Sequence, residues 1–217
     1  MKNLLLITLA VFTSLSPALA QKIGKTVTIS TEYGTMKVGL YEETPLHRDN
    51  FIKLASEGFY DDLLFHRVIK QFMIQGGDPD SKGATPDKRL GSGGPSYTVP
   101  AEFNDNLYHK KGALCAARTN NPEKASSSCQ FYIVQGKPQT DAELDQLESR
   151  LGFKYTAEQR EMYKTVGGVP FLDRNYTVYG EVIEGMDVID KIAGAETNKA
   201  MGDRPVKDVK MTVKVVK

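Results

Sequence analysis

Short segments of alternating apolar and polar residues dominate this chain. Alternation is clear over residues 25–31 and 36–40, and this period is typical of strands with one buried face. Tyr33-Gly34 lies between these segments, so they predict a hairpin. A succession of short strands favours a closed antiparallel barrel or a sandwich. The other predicted strands are residues 112–117, 130–135, 177–182 and 209–215.

Two helices are predicted among these strands. Thr44 and Pro45 match an N-cap residue followed by a first-turn proline, and an apolar stripe follows them until Gly58. The second helix is predicted over residues 186–192.

Residues 141–164 break the strand pattern because they are charged and strongly helical. Capping boxes begin at Thr140 and Thr156, and Gly152 separates the two helical stretches. We therefore predict a helical hairpin inserted into the β scaffold over about residues 141–167. This insertion is either a surface for a partner or a packed decoration without a function of its own.

The first 20 residues have the pattern of a secretory signal peptide. A positive start precedes an apolar run at residues 4–12, and an A-x-A motif follows at residues 18–20. The run is too short to span a bilayer comfortably. We predict cleavage after Ala20 and a periplasmic or secreted domain over residues 21–217. A retained N-terminal anchor is the alternative.

The charge balance argues against whole classes of partner. The chain has 28 Lys and Arg against 27 Asp and Glu, a formal net charge of +1, and loss of Lys2 with the signal peptide would bring it to zero. A neutral chain does not favour nucleic acid or anionic membranes. After signal cleavage we expect a monomer that binds no nucleic acid and does not insert into a membrane.

The cysteines and histidines do not have the spacing of a metal site. Cys115 and Cys129 lie in strand-like segments, and export would permit a disulfide between them. They form either that disulfide or two buried thiols. The three histidines are scattered through the chain, so we expect no metal. They are His47, His66 and His109.

Residues 65–78, F-H-R-V-I-K-Q-F-M-I-Q-G-G-D, hold one permanent cation in an apolar segment. Burial costs a guanidinium its hydration, so Arg67 needs acceptors. We interpret the segment as two strands that carry Arg67 and Gln75. The alternative is a structural arginine bound by backbone carbonyls. His66 should point to the opposite face, because neighbouring side chains in a strand alternate.

This segment resembles the signature of the cyclophilin-type peptidyl-prolyl cis-trans isomerases. Further segments are similar to other parts of the family in the same order, including T-P-L-H-R-D-N-F-I-K-L, G-A-L-C-A-A-R, S-S-C-Q-F-Y-I-V and F-L-D-R-N-Y-T-V-Y-G-E-V. The resemblance covers nearly all of residues 21–217 apart from the predicted insertion. It implies a mainly β fold, an eight-stranded antiparallel barrel capped by two helices.

The resemblance also implies an activity and a site. The activity is rotation of X-Pro peptide bonds in proline-containing peptides and unfolded exported proteins, without a cofactor, a metal or a covalent intermediate. The implied catalytic residues are Arg67 and Gln75, where Gln75 holds Arg67 in place. The implied substrate-binding residues are Phe72, Met73, Ala117, Arg118, Gln130, Tyr132, Phe171, Leu172 and Tyr176.

Three of these positions depart from the commonest eukaryotic pattern. Phe171 occupies the place of a tryptophan, Tyr176 that of a histidine and Arg118 that of an asparagine. The first change weakens the expectation of tight cyclosporin binding. The alternative function is a non-catalytic proline-peptide binding module or a holdase chaperone, in which the inserted helices would carry the function.

Overall fold

The computed structural model describes residues 21–216, so the predicted signal peptide lies outside the described residues. The helices are α1 (Pro45–Ser56), α2 (Asp141–Leu151), α3 (Ala157–Thr165) and α4 (Met186–Ala193), with 3-10 turns at Pro79–Ser81, Pro170–Leu172 and Lys199–Met201. The strands are β1 (Ile23–Thr31), β2 (Gly34–Tyr41), β3 (Leu63–Leu64), β4 (Arg67–Ile69), β5 (Met73–Gly76), β6 (Thr98–Val99), β7 (Ala113–Ala116), β8 (Ser126–Ser127), β9 (Phe131–Val134), β10 (Val178–Glu184), β11 (Thr197–Asn198), β12 (Arg204–Pro205) and β13 (Lys210–Val215).

One curled antiparallel sheet forms the body of the molecule. Within residues 21–216 it has nine strands in the order β3-β13-β1-β2-β10-β7-β9-β5-β4. Only Phe65 and His66 separate its two edge strands, β3 and β4, along the chain. The sheet therefore curls until its edges meet. The predicted mainly β, barrel-like fold is confirmed, although hydrogen bonding divides it into nine strands and leaves the β3–β4 seam open.

Strand alternation gives this sheet two apolar faces. Ile74, Leu114 and Ile133 point into the barrel, where they join the main core. Met73 and Tyr132, one residue away along β5 and β9, belong to a separate cluster on the outer face. The sheet thus has a filled interior and a second apolar surface outside it.

Two helices cap the barrel, as the sequence predicts. Helix α1 begins at Pro45, packs Phe51 and Leu54 into the main core and contacts β2, β10 and β13. Helix α4 buries Ile189 and Ile192 in the same core.

The two inserted helices, α2 and α3, are present where the sequence predicts them. Both capping boxes form, since the hydroxyls of Thr140 and Thr156 each accept from the third helical N–H. The insertion buries Leu144, Tyr155 and Tyr163 in an apolar cluster that also includes Tyr108 of the β scaffold. It is therefore a packed part of the domain.

The cysteines are free thiols, which resolves the alternative that their spacing left open. Cys115 belongs to the outer apolar cluster and Cys129 to the barrel core. Burial raises the pKa of Cys129 to about 11, so this thiol is protonated at neutral pH. No helix among residues 21–216 is long and apolar enough to cross a bilayer.

Candidate functional site

A short hairpin positions Arg67. Strands β4 and β5 pair antiparallel with Arg67 directly opposite Gln75, while Val68 opposite Ile74 faces the core. Arg67 Nη1 donates to Gln75 Oε1 at 3.3 Å. Cross-strand register therefore puts the cation and its amide acceptor on the outer face of the sheet.

Glycine is required at position 77, directly after β5. Gly77 has a φ of +94°, and a Cβ there would lie 2.3 Å from the Cys129 carbonyl oxygen. The positive φ and the close approach of two backbones both exclude a larger residue. The Gly76-Gly77 pair thus lets β5 pass close beside the segment that leads into β9.

A line of amides fixes Gln75 in turn. Gln75 Nε2 donates to Gln130 Oε1 at 3.2 Å. Gln130 Nε2 then donates to the carbonyl oxygens of Gly91 and Gly93 at 3.0 and 2.9 Å. The loop that carries Gly91 and Gly93 thus anchors the pair of amides, Gln75 and Gln130, beside Arg67.

An open cavity of about 230 Å³ lies beside Arg67 on this outer face. Nine of the eleven candidate residues line it. Gln130 lies behind Gln75, and Phe171 lies at the rim, 43 % exposed, with its ring 5.7 Å from that of Phe72. The lining residues are Arg67, Phe72, Met73, Gln75, Ala117, Arg118, Tyr132, Leu172 and Tyr176.

Two guanidinium groups give this cavity a cationic edge. Arg67 is partly exposed, makes no salt bridge to any carboxylate among residues 21–216, and lies 5.9 Å from the Phe72 ring centre. Arg118 stacks on Tyr176 at 4.7 Å and donates to the Asn175 carbonyl at 2.9 Å. The guanidinium of Arg67 is thus available to a ligand, whereas that of Arg118 packs on the Tyr176 ring in the cavity wall.

His66 is outside this cavity and buried, as strand alternation predicts. Neither ring nitrogen has a hydrogen-bond partner within the described residues. Burial is the main reason that its pKa falls from 6.5 to about 4; Arg67 and Arg204 lower it further, and Asp78 opposes them. His66 is therefore neutral at pH 7 and faces away from the cavity.

Sequence reasoning missed the polar groups behind the cavity. Tyr132 was singled out only as a cavity wall, yet its hydroxyl lies 2.9 Å from His109 Nε2. His109 in turn contacts Asp173, 64 residues away, and Asp173 accepts from Tyr163 on α3. No local pattern links residues so far apart, so only the folded chain reveals this cluster.

A family model described as cyclophilin type peptidyl-prolyl cis-trans isomerase/CLD matches residues 26–215. The chain belongs to this family. The match begins in β1 and ends with β13, so it includes the curled sheet except for the first three residues of β1, and it includes the cavity on the outer face. The resemblance first visible in residues 65–78 is thereby confirmed.

Bacterial cyclophilin relatives align over most of the chain. A putative peptidyl-prolyl cis-trans isomerase of Staphylococcus epidermidis is 34% identical over 184 residues, which is 84% of this chain and 87% of the relative. A putative bifunctional phosphatase/peptidyl-prolyl cis-trans isomerase of Streptococcus pyogenes is 38% identical over 191 residues. That alignment covers 86% of this chain and only 37% of the streptococcal protein.

The fold also matches a solved cyclophilin. A cyclophilin type peptidyl-prolyl cis-trans isomerase of Cryptosporidium parvum, crystallised in the presence of the dipeptide Ala-Pro, has a TM-score of 0.63 and 23% identity. The match covers 89% of this chain and 99% of that one. It establishes the shared fold of a cyclophilin-type isomerase.

Proposed function

We propose that this cyclophilin rotates X-Pro peptide bonds in exported proteins and so assists their folding. One observation carries the proposal. The Arg67 guanidinium, held by Gln75, lies at the edge of a cavity that has an apolar wall, to which Phe72 and Tyr132 contribute. An apolar recess accepts a proline ring, and a fixed donor at its edge can reach the nitrogen of that ring.

The chemistry needs neither a nucleophile nor a proton shuttle. Resonance gives the peptide C–N bond partial double-bond character, with a rotation barrier of about 18–20 kcal/mol. A catalyst must bind the twisted amide more tightly than either planar form. Twisting localises a lone pair on the prolyl nitrogen, which makes that nitrogen a better hydrogen-bond acceptor than it is in the planar amide.

Arg67 supplies the donor that this transition state demands. A guanidinium is always charged and planar, and it offers several N–H groups. A proline ring bound against the apolar wall would displace water from it, which would strengthen the contact with Arg67. A ten-thousandfold acceleration requires about 5.4 kcal/mol, within reach of one charged donor together with fixed placement of the ring.

The main chain beside the cavity supports binding of an extended peptide. The N–H of Ala117 donates to Gln130 O, and its carbonyl accepts from Ser127. The N–H of Arg118 makes no such bond to residues 21–216. We expect this N–H to bind a substrate carbonyl, a role that any residue except proline can fill, so an arginine here is compatible with activity.

Replacement of Arg67 tests the mechanism. We expect Arg67→Ala to lower kcat/KM for a short X-Pro peptide by about 10²–10³-fold, because a transition-state donor is lost, while circular dichroism remains unchanged. Arg67→Lys keeps the charge without the planar fork and should fall in between. Cis-trans exchange measured by NMR gives the rates.

Arg150→Ala is the matched control, since Arg150 is exposed on α2, and it should exchange as the wild type does. Wild-type turnover in folded Arg67→Ala would refute the mechanism. Peptide binding by the wild type without any exchange would favour the alternative, a non-catalytic proline-peptide module or holdase.

Export and a monomeric state are part of this proposal. The signal-like pattern of residues 1–20 supports a periplasmic or secreted location. N-terminal sequencing of the exported protein should begin at Gln21, and an intact Met1 would contradict cleavage. Size-exclusion chromatography with light scattering should give the monomer mass.

A further inference from the structure

A line of buried polar side chains connects the inserted helix α3 to the proposed proline pocket. The Tyr163 hydroxyl donates to Asp173 Oδ2 at 2.6 Å. Asp173 Oδ1 lies 2.7 Å from His109 Nδ1 and also accepts from the His109 main-chain N–H at 2.9 Å. His109 Nε2 lies 2.9 Å from the hydroxyl of Tyr132. All four side chains are buried.

The chemistry of these groups determines the direction of each hydrogen bond. The Asp173 carboxylate can only accept, so Nδ1 of His109 is a donor. In the tautomer that carries its hydrogen on Nδ1, Nε2 accepts from the Tyr132 hydroxyl. Burial raises the pKa of the Tyr132 and Tyr163 phenols well above 10, so both hydroxyls keep their hydrogens. In this tautomer every donor along the line has an acceptor.

The insertion also holds the backbone of the pocket wall that carries Leu172, across the cavity from Arg67 and Gln75. Asp173 directly follows the 3-10 turn that carries Leu172 into the pocket, and the Tyr155 hydroxyl donates to Pro170 O at 2.9 Å. Two tyrosines of the insertion thus bind the two ends of that turn. The preceding segment is tight, because a Cβ on Gly168 would lie 2.3 Å from His109 O.

The His109 ring reaches Tyr132 by stacking as well as by hydrogen bonding. The two rings are nearly parallel, with 14° between their planes and 6.1 Å between their centres. A change in the tilt of His109 is therefore transmitted to the tyrosine ring that would grip the proline. Buried polar networks of this kind rigidify a site when every member is satisfied.

We propose that Tyr163, Asp173 and His109 are positioning residues that orient Tyr132 in the proline pocket, so that the inserted helices support binding of the substrate. This inference rests on the proposed function of that pocket. The insertion is then a buttress of the active site, and none of the three residues contacts the substrate.

Removal of one hydroxyl tests the inference with little risk to the fold. We expect Tyr163→Phe to raise KM for an X-Pro peptide by ~fivefold, with kcat within about twofold, since a buried hydrogen bond is lost while the ring remains. Tyr108→Phe is the matched control. Its ring packs on Tyr163 at 5.4 Å in the same cluster, but its hydroxyl makes no hydrogen bond to residues 21–216.

A double-mutant cycle with Tyr132→Phe separates positioning from general destabilisation. Tyr132→Phe disconnects the line, so the addition of Tyr163→Phe in that background should change KM by less than about twofold. A merely structural Tyr163 would lower the melting temperature while KM stayed as in Tyr108→Phe. Wild-type KM in folded Tyr163→Phe, or additive effects in the double variant, would overturn the inference.

The same proteins distinguish this failure from failure of the proposed function. If the wild type binds a proline peptide without catalysing exchange, the isomerase proposal fails, and dissociation constants from NMR titration replace KM in the cycle. If the wild type neither exchanges nor binds such a peptide, both proposals are wrong.

Discussion

The two walls of the pocket are built by different means. Arg67 and Gln75 belong to a hairpin whose strands are three and four residues long, and register alone brings them opposite each other. Leu172 and Tyr176 lie in an irregular segment without sheet partners. That segment is held by side chains from the insertion and from His109.

The difference teaches where function and stability reside in this domain. The hairpin wall holds the polar groups of Arg67 and Gln75 near the surface, so we expect their loss to lower turnover and to have little effect on stability. The opposite wall depends on a buried carboxylate with three donors around it, whose loss would leave those donors without an acceptor. We therefore expect substitutions in the hairpin wall to lower turnover more than stability, and substitutions behind the opposite wall to lower stability more than turnover.

The largest effect on stability should come from Asp173→Ala. The tyrosine hydroxyl and both His109 N–H groups lose a buried acceptor, so we expect unfolding to become easier by about 3–5 kcal/mol. Thermal unfolding would measure this as a melting temperature lower by roughly 10 °C. Asp105→Ala is the control, because its surface pair with Arg174 should contribute under about 1 kcal/mol. Equal shifts in the two variants would contradict the comparison.

Acid should destabilise the fold through His66, which is buried next to the hairpin that carries Arg67 and Gln75. The pKa is about 4 in the folded protein and 6.5 when unfolded, so the unfolded chain binds more protons between these values. Stability is fully present above pH 6.5 and is lost as pH falls towards 4, by about 3 kcal/mol.

Urea unfolding at pH 7, 5.5 and 4 measures this loss, and His66→Leu provides the comparison. The variant cannot be protonated at this position, and the imidazole has no partner to lose, so its stability should fall less steeply. Carboxylates common to both proteins cancel in the difference. Parallel pH profiles would show that His66 does not contribute.

Gln75→Ala should have the signature opposite to that of Asp173→Ala. Arg67 loses its acceptor at 3.3 Å, so we expect kcat/KM to fall about tenfold, a difference of about 1.4 kcal/mol. The melting temperature should change little, because Gln75 is partly exposed. Gln146→Ala on the exposed face of α2 is the control for a lost glutamine. A large loss of stability without a loss of turnover would reverse our comparison.

The smallest effect is expected at the rim. Phe171 is 43 % exposed and contacts the pocket through Phe72, so Phe171→Ala should raise KM by only about threefold, with unchanged thermal unfolding. A tenfold or larger change in KM would place Phe171 inside the binding surface instead of at its rim.

Local sequence patterns were sufficient to predict the arrangement of the hairpin wall. Alternation around Arg67 and Gln75 predicts which side chains share a face, because the side-chain period of a strand is two. The capping boxes at Thr140 and Thr156 predict where the inserted helices begin, since a helix end must satisfy its own free N–H groups. These features depend on neighbours within a few residues.

The contacts that hold the opposite wall could be identified only in the folded chain. The sequence predicts the inserted helices but leaves open whether they serve a partner or merely pack. The contacts of Tyr155 and Tyr163 with residues 170–173 support the third arrangement that we propose, in which the insertion holds the pocket. The pairing of His109 with Asp173 joins positions 64 residues apart, which no local period encodes.

By itself, the sequence determined the longer strands of the main sheet, the four helices of residues 21–216, the family and the set of residues proposed for the pocket. Only the tertiary structure decided that Cys115 and Cys129 lie in different apolar clusters, that the β3–β4 seam stays open, and that the Tyr132 hydroxyl lies within hydrogen-bond distance of His109. The physical reason is the distance along the chain over which each feature is determined. Register and capping follow from neighbouring residues, whereas burial and long-range hydrogen bonds depend on how the whole sheet curls.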